Sequence, residues 1–241
     1  LLNILPASVA HELRSTGAVT PLFCDSITVC FTDFVGFTVS SEQMDPSDLV
    51  VALNRYFTEF DRIVERYGLE KVKTIGDSYM FVAGLPQAKE SHAVDAVLAA
   101  LEIVALVQRF ADTPPGWQIR VGLHSGPVVA GVVGLRKFAF DIWGRTVNYA
   151  SRHESSGQPN CVNISAQTYE LVRGFFHCEP RGPVLIKEGR HLEMYLVRGV
   201  YNKLCARPPQ GADYSFHDLY SHCFGTTPPP LPDLNQFSVT A

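Results

Sequence analysis

Residues 70–86 read EKVKTIGDSYMFVAGLP and constrain the fold more than any other stretch, because they place two short strands between two long helical segments. Val72, Ile75, Tyr79, Phe81 and Val82 are strand formers, and Gly76-Asp77 is a preferred two-residue connection because both residues tolerate positive φ. The stretch predicts a β-hairpin with Lys73 on its first strand and the Asp77 carboxylate at its tip. A solvated turn aspartate is the plain alternative, and the flanking segments bear on the choice.

Upstream, residues 26–37 (SITVCFTDFVGF) are β-rich through Phe31 and then carry Asp33 and Gly36. Asp45 follows as a helix N-cap, with Pro46 at the first helical position and Asp48 in the first turn, all favourable at a positive helix end. Leu49, Val50, Leu53, Phe57, Phe60, Ile63 and Val64 hold one face as far as Gly68, so a long amphipathic helix is expected. Downstream, residues 91–110 carry a broad apolar face (Val94, Val97, Leu98, Leu101, Val104, Ala105) suited to lying on a sheet. Residues 119–133 predict a second hairpin, with Gly126-Pro127 breaking two valine-rich strands. The order strand, helix, hairpin, helix, strand is the βαββαβ plan of a ferredoxin-like α+β core.

The remaining segments attach to that core. Residues 1–20 suit a connector helix interrupted near Pro6 and stopped by Gly17. After Gly144, RTVNYASRHE predicts a helix with Asn148 and Arg152 four apart on one face. Ser165 caps a short helix reaching Arg173, and residues 184–197 supply a last strand pair, giving an additional C-terminal α/β subdomain. The main domain is expected over 21–200. Residues 201–241 are proline-rich and read as linker or disordered tail. His217, Asp218, His222 and Cys223 lie there, but such a tail offers no preorganised metal site. His124 reads as a packed strand histidine, since no second His or Cys stands at metal-ligand spacing.

Composition narrows the function. With 241 residues and 46% hydrophobic content the chain can bury a substantial core. Its 24 acidic residues outnumber 20 basic ones, against the footprint of a nucleic-acid binder. Six cysteines without a CxxC pair suggest free thiols in a reducing compartment. The longest apolar run, 94–107, is interrupted by Asp95 and Glu102 and predicts no membrane span. A chain starting at Leu1 is expected to be a piece of a larger protein: a cytoplasmic output domain with a regulatory domain, and any membrane anchor, upstream.

In the βαββαβ plan the first and third strands are antiparallel neighbours, which brings together Asp33 and Asp77, 44 positions apart in the chain. Adjacent carboxylates repel unless a cation lies between them, and oxygen ligands suit Mg²⁺ or Mn²⁺. Magnesium keeps waters and accepts substrate phosphates as further ligands, so the pair implies a nucleotide. The turn Phe34-Val35-Gly36-Phe37 offers backbone N–H groups to phosphate oxygens. The Walker pattern GxxxxGK(S/T) is missing, so this is not a P-loop protein. Asp141, Asn148 and Arg152 share the segment DIWGRTVNYASR, where a permanent guanidinium suits a phosphoryl transition state and an amide suits a ribose oxygen. An ordinary surface helix that happens to carry an arginine there fits that spacing equally well.

FTDFVGFT, EKVKTIGDSYM, GLHSGPVVAGVVG and DIWGRTVNYASR, occurring in this order, resemble the catalytic domain of class III nucleotidyl cyclases, close to the animal-type adenylyl and guanylyl cyclases. The resemblance covers residues 5–200 and implies the class III cyclase fold. It implies that Asp33, Asp77 and the Phe34 carbonyl hold two divalent cations, and that Asn148 and Arg152 act on the transition state. Lys73 and Asp141 match the purine-reading pair of adenylyl cyclases, where guanylyl cyclases usually carry Glu and Cys. Lysine donor and aspartate acceptor complement the ring nitrogens and amino group of adenine, so ATP is the expected substrate. Lys187 matches a triphosphate-binding lysine, but its loop, Ile186-Lys187-Glu188-Gly189-Arg190, departs from the usual VKGKG-like pattern, leaving Arg190 as a sharer of that role. The family further implies a head-to-tail homodimer with composite sites. Sequence geometry leaves a one-chain site open, since Lys73 to Asp77 spans about 13 Å. A guanylyl cyclase is the nearest alternative. A silent nucleotide-sensing or dimerising module would be expected to lack one of Asp33, Asp77, Asn148 or Arg152. A ferredoxin-like RNA binder would need a basic face and RNP aromatics that the chain lacks.

Overall fold

The computed structural model describes residues 5–134, 138–187, 189–205 and 215–239. Strands β1 (Leu22–Phe34), β2 (Glu70–Ile75), β3 (Ser78–Ala83) and β4 (Ile119–Val133) lie side by side in the order β2-β3-β1-β4. Helices α3 (Pro46–Arg66) and α4 (His92–Arg109) connect them, as the βαββαβ plan requires. The sheet continues without a break from β4 through β6 (Cys161–Ser165) and β8 (His191–Tyr201) to β7 (Phe176–Leu185), so the C-terminal α/β part extends the same sheet. Alternation along β1 divides the core. Cys30 and Phe34 join α3 and α4 on one face, while Ile27, Val29 and Phe31 meet α1 (Ala7–Thr16), β5 (Ala139–Trp143) and Ala150 on the other.

Local chemistry explains the main elements. The Asp45 carboxylate accepts the Ser47 N–H at 2.8 Å and so caps α3. The connector helix α1 starts directly after Pro6 and ends on left-handed Gly17. At the hairpin tip only Gly76 takes a left-handed φ, +61°, while Asp77 does not. α2 (Phe37–Gln43), a short helix after the first strand, has no counterpart in the sequence reading. Of the described residues, no helix is long and apolar enough to cross a membrane.

Two expectations are corrected. Residues 119–133 form one strand rather than a hairpin. Pro127 is tolerated because the partner strand bulges between Cys24 and Ile27, opposite it, so its missing N–H leaves no ladder bond unmade. The hairpin partner of β4 is instead β5, with Val129 opposite Trp143 and Gly131 opposite Asp141. The second correction concerns the tail. Helix α6 (Phe216–Phe224), capped by a reciprocal Ser215–Asp218 box, packs on Phe175, and β9 (Ser238–Val239) pairs with β8. Phe216, Tyr220 and Phe237 are buried there, and this apolar burial favours docking over an extended tail. Pro208 and Pro209 lie outside the described residues. α4 is consequently buried nearly all round, and its acids are satisfied: Asp95 by Lys89, Ser91 and Tyr220, Glu102 by Arg66 and Tyr67.

Candidate active site

The antiparallel pairing of β1 with β3 runs Thr32 opposite Tyr79, which brings Asp33 beside the 76–77 turn. Asp77 accepts the Phe34 N–H at 3.2 Å, and its carboxyl lies within hydrogen-bonding reach of Asp33. The Phe34 ring anchors this corner, packed among Tyr56, Phe57, Phe60 and Trp117. In the turn, the Val35 N–H is spent on the Gln118 carbonyl at 2.9 Å. With Phe34 also committed, the amides of Gly36 and Phe37 at the head of α2 are the ones left as phosphate candidates.

Two further groups complete the acidic corner, and neither was singled out from the sequence. Arg120, opposite Asp33 in the β1–β4 register, donates to Asp33 at 2.8 Å and to Glu154 at 2.9 Å. The Asp33 carboxyl is pushed up to about 7, by burial first and then by the charges of Glu154 and Asp77, against the pull of Arg120. Burial also raises Glu154, with Lys187 among the cations that oppose the shift. With Asp77 beside Asp33, and one guanidinium bonded to Asp33 and Glu154, the corner is short of positive charge, which fits the addition of divalent cations. Among the described residues no three His, Cys, Asp or Glu side chains form a ready-made metal cage. Asp33, Asp77 and the Phe34 carbonyl are oxygen donors that leave positions for water and phosphate, as Mg²⁺ or Mn²⁺ accepts. Register alone could have exposed Arg120; Glu154 carried only the hint of standing two residues beyond Arg152.

The other predicted residues fall into two places. Lys73, on β2, donates to Asp141 on β5 at 2.5 Å, a contact between residues 68 apart created by β5 curling towards β2. Asn148 and Arg152 ride on α5 (Arg145–Ser155), with Asn148 exposed and Arg152 half-buried. Lys187 is exposed in the turn between β7 and β8, whose Glu188 lies outside the described residues. Arg190, the other cation of that turn, stands 5.9 Å from the centre of the Tyr149 ring. His124 is packed as expected, its ring stacked with His153 at 5.8 Å, and burial pushes it down to about 4.

A mixed sheet that brings paired carboxylates together beside a short turn suits a nucleotide-handling enzyme domain, and comparison with known proteins identifies the class. Residues 20–199 match the family model described as "Adenylate and Guanylate cyclase catalytic domain". The chain belongs to this family and is a class III nucleotidyl cyclase catalytic domain. It is 39% identical over 202 residues to an adenylate cyclase of Mycobacterium tuberculosis, covering 82% of this chain and 45% of that protein. It is also 39% identical over 221 residues to retinal guanylyl cyclase 1 of Rattus norvegicus, covering 87% of this chain and 20% of that protein. The chain therefore spans less than half the length of these curated relatives. Among solved structures, the guanylate cyclase domain of RhGC from Catenaria anguillulae in complex with GTP superposes with a TM-score of 0.70 at 38% identity, covering 73% of this chain and 97% of that one.

Proposed function

We propose that this domain converts ATP to 3′,5′-cyclic AMP and pyrophosphate, at sites shared across a head-to-tail homodimer. The observation that carries the ATP reading is the side-by-side placement of the Lys73 ammonium and the Asp141 carboxylate. They offer one donor and one acceptor, the complement of an adenine edge, whereas guanine would turn its carbonyl towards a carboxylate. A mismatched contact that leaves a buried partner unpaired costs about 1 to 3 kcal/mol, so two such contacts set a strong preference. Relatives of both nucleotide types match this chain at 39% identity, so the preference rests on these two residues.

The reaction is an in-line attack of the ribose 3′-hydroxyl on the α-phosphorus, with pyrophosphate as leaving group and no covalent enzyme intermediate. Asp33, Asp77 and the Phe34 carbonyl would hold two divalent cations, Mg²⁺ or Mn²⁺, which when bound lower the hydroxyl pKa and neutralise phosphate charge. Asn148 orients the ribose, and Arg152 stabilises the charge that develops on the α-phosphate. Lys187, with the amides of Gly36 and Phe37, receives the outer phosphates. An exposed apolar row supports the dimer: Phe23, Val129 and Trp143 lie in register on β1, β4 and β5 and are 61%, 37% and 42% exposed. An upstream regulatory domain and a cytoplasmic setting belong to the same proposal.

The test is to supply the purified chain with ATP or GTP and Mn²⁺ over a range of protein concentrations. Cyclic AMP alone, with specific activity rising as dimers form, is the expected result. Cyclic GMP would overturn the reading of Lys73 and Asp141. No product from a folded dimer would replace the cyclase with a silent nucleotide-sensing module.

A further inference from the structure

Helix α5 carries both Asn148 and Arg152, so its placement sets where their side chains reach. The helix lies directly on the backbone of β4. A Cβ added to Gly122 would stand 1.9 Å from the Glu154 nitrogen. That contact fixes the height of the helix above the sheet. It does little to fix position along the helix axis, because a glycine surface has no side chain to interlock.

Axial position is held from another direction. A helix leaves its last carbonyls without intrahelical partners, and here those of Arg152, His153, Glu154 and Ser156 each have one. The Arg152 carbonyl accepts the Ser156 N–H at 3.1 Å and the Glu154 carbonyl accepts the Gly157 N–H at 2.8 Å. The His153 carbonyl accepts the side-chain amide of Asn163 at 2.7 Å, and the Ser156 carbonyl accepts Nη1 of Arg181 at 2.7 Å. The same Nη1 lies 3.2 Å from the Asn163 side-chain oxygen, so the two residues form one clamp. Asn163, on β6, is fully buried, and Arg181 comes from β7, at the far edge of the sheet. A guanidinium at this end also faces the negative pole of the helix.

We propose that Arg181 and Asn163 are positioning residues of the cyclase reaction: they clamp the C-terminal turn of α5 and thereby set the reach of Arg152 and Asn148. The proposal rests on the reading of Asn148 and Arg152 as the transition-state pair. Neither clamp residue touches substrate, and both act through the helix. A displacement of the order of 1 Å in a group that meets the transition state costs up to about 10²-fold in rate. Loosening one end of an 11-residue helix is expected to cost less.

The experiment is a double-mutant cycle on cyclic AMP formation, using Arg181→Leu, Arg152→Ala and the double variant, with melting curves for each. Arg181→Leu is expected to lower kcat about tenfold and to change KM for ATP less than about twofold. In the Arg152→Ala background the same substitution is expected to cost less, about threefold, because one of the two groups it positions is gone and only Asn148 remains. Equal losses in the two backgrounds, or an unchanged kcat, would overturn the clamp while leaving the catalytic pair intact. Normal turnover by Arg152→Ala alone would overturn the catalytic pair and the clamp together. Should Arg181→Leu fail to fold, Arg181→Lys serves in its place. Its ammonium still donates to one carbonyl, so kcat is expected to fall by about threefold with KM held, and a KM-only effect would refute the proposal.

Discussion

His92 provides a sharp test of how this core is held. The ring sits at the start of α4 with Nδ1 2.7 Å from the Thr28 hydroxyl and Nε2 3.1 Å from the Ser26 hydroxyl. From Thr28 the contacts continue through Ser125 and Thr168 to Ser165, at 2.8, 2.9 and 3.1 Å. Only 4% of His92 is exposed, and burial pushes its pKa down to about 4. The folded state thus favours the neutral ring, and the unfolded chain, with a pKa of about 6.5, takes up the proton first. Stability from this group is complete above pH 6.5 and is lost as pH falls towards 4. With these values the loss between pH 7 and pH 5 is about 2 kcal/mol, or about 4 to 8 °C in Tm for a chain of this size. His92→Gln keeps hydrogen-bonding groups beside both hydroxyls but does not titrate. Urea unfolding at pH 7, 6 and 5, followed by the fluorescence of buried Trp117, is the assay. The wild type should lose about 2 kcal/mol more than His92→Gln between pH 7 and pH 5. Equal losses in the two proteins would refute the argument that His92 is buried in its neutral form.

Further outcomes are expected at the site and in the fold. Asp77→Ala should abolish turnover with either Mg²⁺ or Mn²⁺, and near-normal activity of the purified variant would remove that carboxylate from the mechanism. Lys73→Glu combined with Asp141→Cys should shift product from cyclic AMP to cyclic GMP; retained ATP preference would show that the base is read elsewhere. Gly122→Ala drives a methyl group into the backbone of α5 and should cost about 3 kcal/mol or more, so wild-type stability in denaturant would contradict the close approach of helix and strand. Tyr220→Phe removes a hydrogen bond to buried Asp95 and should cost about 1 to 3 kcal/mol, whereas an unchanged melting temperature would argue against a docked tail.

Elements whose signals are local could be read from the chain alone. The cap at Asp45, the apolar face of α3 and the Gly76-Asp77 turn are written in neighbouring residues, and their periodicity and turn chemistry are enough to place them. The meeting of Asp33 with Asp77 was also legible, because the βαββαβ order leaves few ways to pair the strands. Other features depend on where distant segments meet. Pro127 reads as a strand breaker until the bulge opposite it is known, and Arg120 acquires meaning only through its register with Asp33. The tail's prolines suggested an extended segment, yet Phe216, Tyr220 and Phe237 find apolar surface that residues far away in the chain provide. Arg181 and Asn163 meet the end of α5 only because β6 and β7 join the same sheet. Local sequence encodes backbone preference and amphipathic pattern. Partner choice for a charge, a carbonyl or an apolar face depends on contacts between distant segments, which form only when the sheet assembles.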